Sequence, residues 1–129
     1  MHINIPRIIT PDFWLANLGD VRRYLRHRLK RGALSRFGAS ALGYPLHVIE
    51  YANPGAPKLM VIGGTHGHEP GGVASVMNLV HLLETGEDLA GRPHDRLLEL
   101  AWSLHLHLVP CLNPDGRSVC PDSSYAQGL

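Results

Sequence analysis

The sequence predicts an α/β domain built around a parallel strand pair. Two observations carry this. Lys58–Gly63 and Trp102–Val109 are apolar runs of strand length, the first continuous and not alternating, as interior strands read. Between them, residues 71–84 form a segment of helical length with few polar positions. Strand, helix, strand over about 50 residues is a βαβ unit, whose two strands run parallel.

Residues 1–13 read as irregular, broken by Pro6 and Pro11, with Thr10-Pro11-Asp12 able to open a turn or short helix. A helix is predicted from Asn17 or Asp20 to Arg31, with Leu18, Val21, Leu25 and Leu29 as its apolar stripe and Gly32 as its stop. Arg22, Arg23, Arg26, Arg28, Lys30 and Arg31 occupy its other side and read as a solvated face. Two strands follow, near 34–40 and 45–51, turning at Ala41-Leu42-Gly43. In the second, Leu46, Val48 and Tyr51 compete with His47 and Ile49 for the core, so its facing is ambiguous. Asn53-Pro54-Gly55-Ala56-Pro57 is a turn cluster.

Beyond the third strand a helix is predicted at 71–84. Pro70 suits its first turn, where a missing N–H costs nothing, and Gly86 suits its end. Residues 87–99 read as a loop or broken helix. After the last strand, Asn113-Pro114-Asp115-Gly116 reads as a turn leading into an irregular polar tail.

Composition bounds the function classes. The chain has 129 residues, 44% of them apolar, which fits one globular domain. A net charge of +1 gives no general attraction to nucleic acid or to a membrane surface. No stretch approaches the roughly 18 apolar residues of a span. No basic-then-apolar leader is visible, so the default expectation is the cytoplasm. Cys111 and Cys120 lack CxxC spacing and read as reduced thiols.

The chemistry concentrates in the segment GGTHGHEPGG, residues 63–72. His66 and Glu69 stand three positions apart where a strand gives way to a helix. Imidazole nitrogen and carboxylate oxygen are zinc donors, and a catalytic site leaves one position for water. The glycines let the backbone turn sharply at the strand's C-terminal end, where open α/β sheets place ligands. Two other readings stay open. The segment could be a plain turn with Glu69 at a helix N-terminus, or an anion cradle lacking the Walker lysine.

His68, between the two donors, reads as exposed or facing a substrate. His105 and His107 share one face of their strand but sit mid-strand, and read as satisfied histidines and not as partners of His66. His81 reads as structural. Asn113 and Asp115 follow the neighbouring parallel strand, so their turn approaches the same rim. Asn113 could orient a substrate or pin the loop, and Asp115 could form an Asx turn. Arg117 could grip a carboxylate or stand free in solvent.

These residues carry a family resemblance. SALGYPLHVIEY, LMVIGGTHGHEPGG and LHLVPCLNPDG, in that order, resemble the N-terminal part of a zinc metallocarboxypeptidase domain. The resemblance covers most of residues 15–117. It implies the N-terminal portion of a mixed, mostly parallel sheet with flanking helices, in a family whose full sheet has eight strands. It implies Zn²⁺ as cofactor, with His66 and Glu69 as ligands; His68, Asn113 and Arg117 are candidates for the substrate-binding rim by their own positions. It implies a peptide cleaved at its C-terminal bond. The related aspartoacylase and succinylglutamate-desuccinylase branch would instead take an acylated amino acid, and a non-catalytic interaction module is the third possibility. The family's later zinc histidine, its Asn-Arg pair and its general-base glutamate come beyond NPDG. The 13 residues after Gly116 contain no histidine and no glutamate. Residues 1–129 are therefore expected to be one partial catalytic domain, with no general base of its own and little activity alone. Self-association through uncovered sheet surface is expected to accompany it.

Overall fold

A computed structural model describes Pro11 and residues 13–119. The expectations for Thr10, Asp12 and Cys120 fall outside the described residues. The elements are α1 Leu18–His27, β1 Ala33–Ala39, β2 Pro45–Tyr51, β3 Lys58–Ile62, α2 Pro70–Thr85, α3 Asp95–Trp102, β4 His105–Val109 and α4 Pro114–Val119. The four strands form one sheet in the order β1-β2-β4-β3.

The β3–β4 pair is parallel, with Lys58 opposite His105 and Ile62 opposite Val109, as the βαβ reading requires. The other two pairings, β1–β2 and β2–β4, are antiparallel. The sheet is thus mixed as expected, but the expectation of a mostly parallel one is corrected for the described strands. The long 63–104 connection, carrying α2 and α3, is what a parallel crossover needs. The short turn at 40–44 permits only a hairpin, with Gly43 at φ 84°.

One core lies on one face of this sheet. Ile49 and Tyr51 of β2 and Leu106 and Leu108 of β4 meet Val73, Met77, Val80 and Leu83 of α2 and Val21, Tyr24 and Leu25 of α1. Burying each of the larger aliphatic side chains stabilises by about 1.5–3 kcal/mol. The ambiguity of β2 is resolved: His47, Ile49 and Tyr51 face the helices, and Leu46, Val48 and Glu50 face the other way. On the edge strand, Leu59, Met60 and Ile62 remain about half exposed, at 45%, 57% and 45%.

Helix boundaries depart from the sequence reading at three places. α1 stops at His27, so Leu29 lies beyond it and Gly32 is not its cap. The cause is Glu84 of α2, whose carboxylate accepts the backbone N–H groups of Lys30, Arg31 and Gly32 and the hydroxyl of Tyr51. Burial raises the Glu84 pKa, but these donors outweigh it and hold the carboxyl below its ordinary value. Secondly, Trp102 ends α3 and does not begin a strand. It packs edge-on against Tyr51 at 5.8 Å. A clip at Asp88 starts this region. Its carboxylate accepts from His94, from the backbone and side chain of Arg92, and from the backbone of Ala90. The His94 bond and these others hold its pKa well below the carboxylate range. Thirdly, α4 spans Pro114–Val119, where a turn at NPDG and then an irregular polar tail were expected.

The basic run from Arg22 to Arg31 is exposed as read, and two of its guanidinium groups also lie over rings, Arg22 at 5.0 Å from Tyr44 and Arg31 at 5.8 Å from Trp102. His81 is structural as read, accepting or donating at 2.7 Å with the Tyr24 hydroxyl. No helix among the described residues is long and apolar enough to cross a membrane.

Candidate metal centre

The site begins with how β3 and β4 end. Their pairing continues past the strands. Gly63 N–H donates to Val109 at 2.8 Å, and Leu112 and Asn113 N–H donate to Gly63 and Gly64 at 2.9 Å. The loops 63–69 and 110–116 are zipped together at one rim. Gly64 has φ 60°, and a Cβ there would sit 2.8 Å from Cys111 Sγ. At Gly67 a Cβ would lie 2.1 Å from the Gly116 carbonyl carbon. Only glycine allows this approach.

The second loop braces the first. Asn113 Oδ1 accepts the Gly116 N–H at 2.9 Å and so caps α4. Asp115, which could have formed an Asx turn, accepts from the Ser40 hydroxyl and the Leu42 N–H, tying the β1–β2 turn to this rim. Arg117 is 1% exposed and donates from Nη1 to the Gly67 carbonyl at 3.0 Å. It is not the solvated arginine that was one reading of it. It pins the loop that carries His66. Cys111 is buried as a free thiol, and burial pushes its pKa up.

His66 and Glu69 come together on this frame. His66 Nδ1 lies 3.1 Å from Glu69 Oε2, with the side chains 65% and 55% exposed. Glu69 is the N-cap residue of α2, with Pro70 next, but its side chain makes no cap bond to the backbone. The carboxylate is left for His66 while sitting at the positive end of the helix dipole. His68 stacks beside His66 at 5.9 Å between ring centroids, with Nε2 3.9 Å from Glu69 Oε1. The donor set fits a zinc ion. In a tetrahedral shell with bonds near 2.1 Å, neighbouring donors stand about 3.4 Å apart, close to the observed separation.

A second group was only half visible in the sequence. Glu50, His105 and His107 place ligand atoms within 4.8 Å of one another, and could hold a metal such as zinc. Glu50 Oε1 lies 2.7 Å from His105 Nε2 and 3.7 Å from His107 Nε2. The i, i+2 histidines were noticed, but their cross-strand partner Glu50 depends on the β2–β4 register. Among the described residues, no third His, Cys, Asp or Glu joins His66 and Glu69 in such a group.

With this geometry in view, similarity to known proteins becomes interpretable. The zinc carboxypeptidase family model matches residues 27–122. Carboxypeptidase SOL1 of Arabidopsis thaliana is 34% identical over 110 residues, covering 78% of this chain and 21% of that protein. Human carboxypeptidase Z is 38% identical over 88 residues, 64% of this chain and 13% of its own length. Among solved structures, a metallo-carboxypeptidase from Burkholderia cenocepacia superposes with a TM-score of 0.63 at 23% identity, over 77% of this chain and 27% of that one. The chain belongs to the zinc carboxypeptidase family and has its hydrolase fold. It spans about a fifth or less of the length of these curated relatives.

Proposed function

We propose that residues 1–129 form the N-terminal part of a zinc-dependent carboxypeptidase domain, in which His66 and Glu69 supply two of the metal's ligands. The observation that carries this reading is the 3.1 Å approach of the two donors on a glycine loop locked to the neighbouring strand end. When bound there, zinc would polarise a scissile carbonyl and acidify water. The chain's own residues hold the donors in place. Arg117 and Asn113 fix the two loops, and His68 stacks beside His66.

A catalytic zinc takes three protein ligands and leaves one position open. A third ligand and a general base are required in addition to the described residues. The substrate is a peptide cleaved at its C-terminal bond. The exposed edge strand β3, with Leu59, Met60 and Ile62 half exposed, supports self-association of this chain.

The test is release of a C-terminal amino acid from acylated dipeptides. It is run on residues 1–129 and on the full reading frame, with zinc and with a chelator. The full reading frame is expected to show chelator-sensitive turnover that His66→Ala and Glu69→Gln abolish, and residues 1–129 little or none. Turnover indifferent to both substitutions would overturn the proposal. Turnover confined to acylated amino acids would transfer it to the amidohydrolase branch.

A further inference from the structure

The geometry points to a second metal site, on the face of the sheet that carries no described helix, formed by Glu50, His105 and His107 and selective for zinc-class transition metals.

Its position separates it from the rim. His105 pairs with Lys58 at the start of β3, whereas His66 lies beyond Ile62 at the end. From the level of His105 four strand steps of about 3.3 Å lead to Ile62, and from His107, opposite Met60, two steps, before the loop begins. Neither His66 nor Glu69 brings a donor atom into the Glu50, His105 and His107 group.

The backbone sets the donors in advance. Glu50 and His107 are direct cross-strand partners on β2 and β4, and His105 is two residues before His107 on the same face. Both Nε2 atoms approach one carboxylate oxygen, Glu50 Oε1, at 2.7 and 3.7 Å. Donors of a tetrahedral zinc stand about 3.4 Å apart, between these two values. The rings stack with centroids 5.0 Å apart and planes 24° from parallel, so both nitrogens project the same way.

A plain hydrogen-bonded cluster explains only part of this. The His105 contact is a hydrogen bond, but 3.7 Å is too long for one from His107. An ion between the three would engage both imidazoles at once. Exposure rises from 13% at His105 through 27% at His107 to 42% at Glu50, which leaves the group reachable from solvent. Two imidazoles and one carboxylate suit Zn²⁺, Cu²⁺ or Ni²⁺, and do not suit Mg²⁺ or Ca²⁺, which take oxygen ligands. Bound metal would clamp β2 to β4 and stabilise the fold by mass action.

The experiment uses zinc alone and the His66→Ala/Glu69→Gln variant, which lacks the rim pair. Long-range ¹H–¹⁵N spectra follow the imidazole nitrogens during titration, and thermal unfolding follows stability. Zinc is expected to move the Nε2 resonances of His105 and His107 and to raise the melting temperature, while Mg²⁺ does neither. His105→Asn/His107→Asn on the same background should lose both effects. If that variant does not fold, the imidazole shifts of the rim-deficient protein decide alone. The proposal is overturned if that protein binds no zinc, or binds it with the His105 and His107 resonances unmoved.

Discussion

The rim pair and the sheet cluster are two ways of placing metal-donor side chains on one mixed sheet. At the rim, His66 and Glu69 sit on a loop, and their placement depends on glycine contacts and on Arg117 gripping Gly67. On the sheet, Glu50, His105 and His107 are placed by ladder register and need no loop at all. The first arrangement can be reshaped without unfolding the core. The second can change only if β2 slips against β4.

The sharpest way to break that comparison is Gly67→Ala. A Cβ would collide with the Gly116–Arg117 backbone, which cannot yield as a side-chain tip would. A loss of about 3 kcal/mol is expected from overpacking of this kind, read as a lower urea midpoint. The rim pair should separate while the sheet cluster keeps its geometry, visible as unchanged His105 and His107 imidazole shifts. Equal disturbance of both would show that they are not independently held.

Glu84→Gln comes next. It weakens three charge-assisted bonds to backbone N–H groups and one to Tyr51, and should cost about 1–3 kcal/mol. The pH dependence follows from the lowered Glu84 pKa. The unfolded chain binds the proton more readily, so this stabilisation is present above the unfolded carboxylate value of about 4.3 and is lost as pH falls through the folded one. The melting temperature of the parent should therefore fall more steeply on acidification below about pH 5 than that of the variant.

Smaller effects probe the open side. Met60→Lys places a charge on the exposed edge strand and should change stability by less than about 0.5 kcal/mol. It should nonetheless shift sedimentation toward the monomer. Unaltered self-association would move the contact elsewhere. His107→Asn should be nearly silent without metal, because Nε2 lies 3.7 Å from Glu50 and makes no hydrogen bond to it. Calorimetric unfolding in chelator checks this.

The same contrast explains what the sequence disclosed. The βαβ unit was legible because both strands are short apolar runs and α2 is nearly all apolar. HxxE was legible because its donors are local in sequence and framed by Gly63, Gly64 and Gly67. The sheet cluster was not, since Glu50 and His107 are 57 positions apart in sequence and meet only through register. The early end of α1 was hidden for the same reason. Gly32 looked like its stop, but the chain is drawn off the helix by Glu84, more than 50 residues away. Arg117 gave no signal of burial, because an arginine after a turn reads as solvated unless the carbonyl it serves is known.

Anomalous diffraction at the zinc edge, from crystals of the zinc-loaded protein, tests the central claim most directly. An ion is expected above the C-terminal end of β3, with His66 Nδ1 and a Glu69 oxygen at about 2.0–2.2 Å. An ordered zinc elsewhere, with His66 and Glu69 left in their metal-free contact, would contradict it.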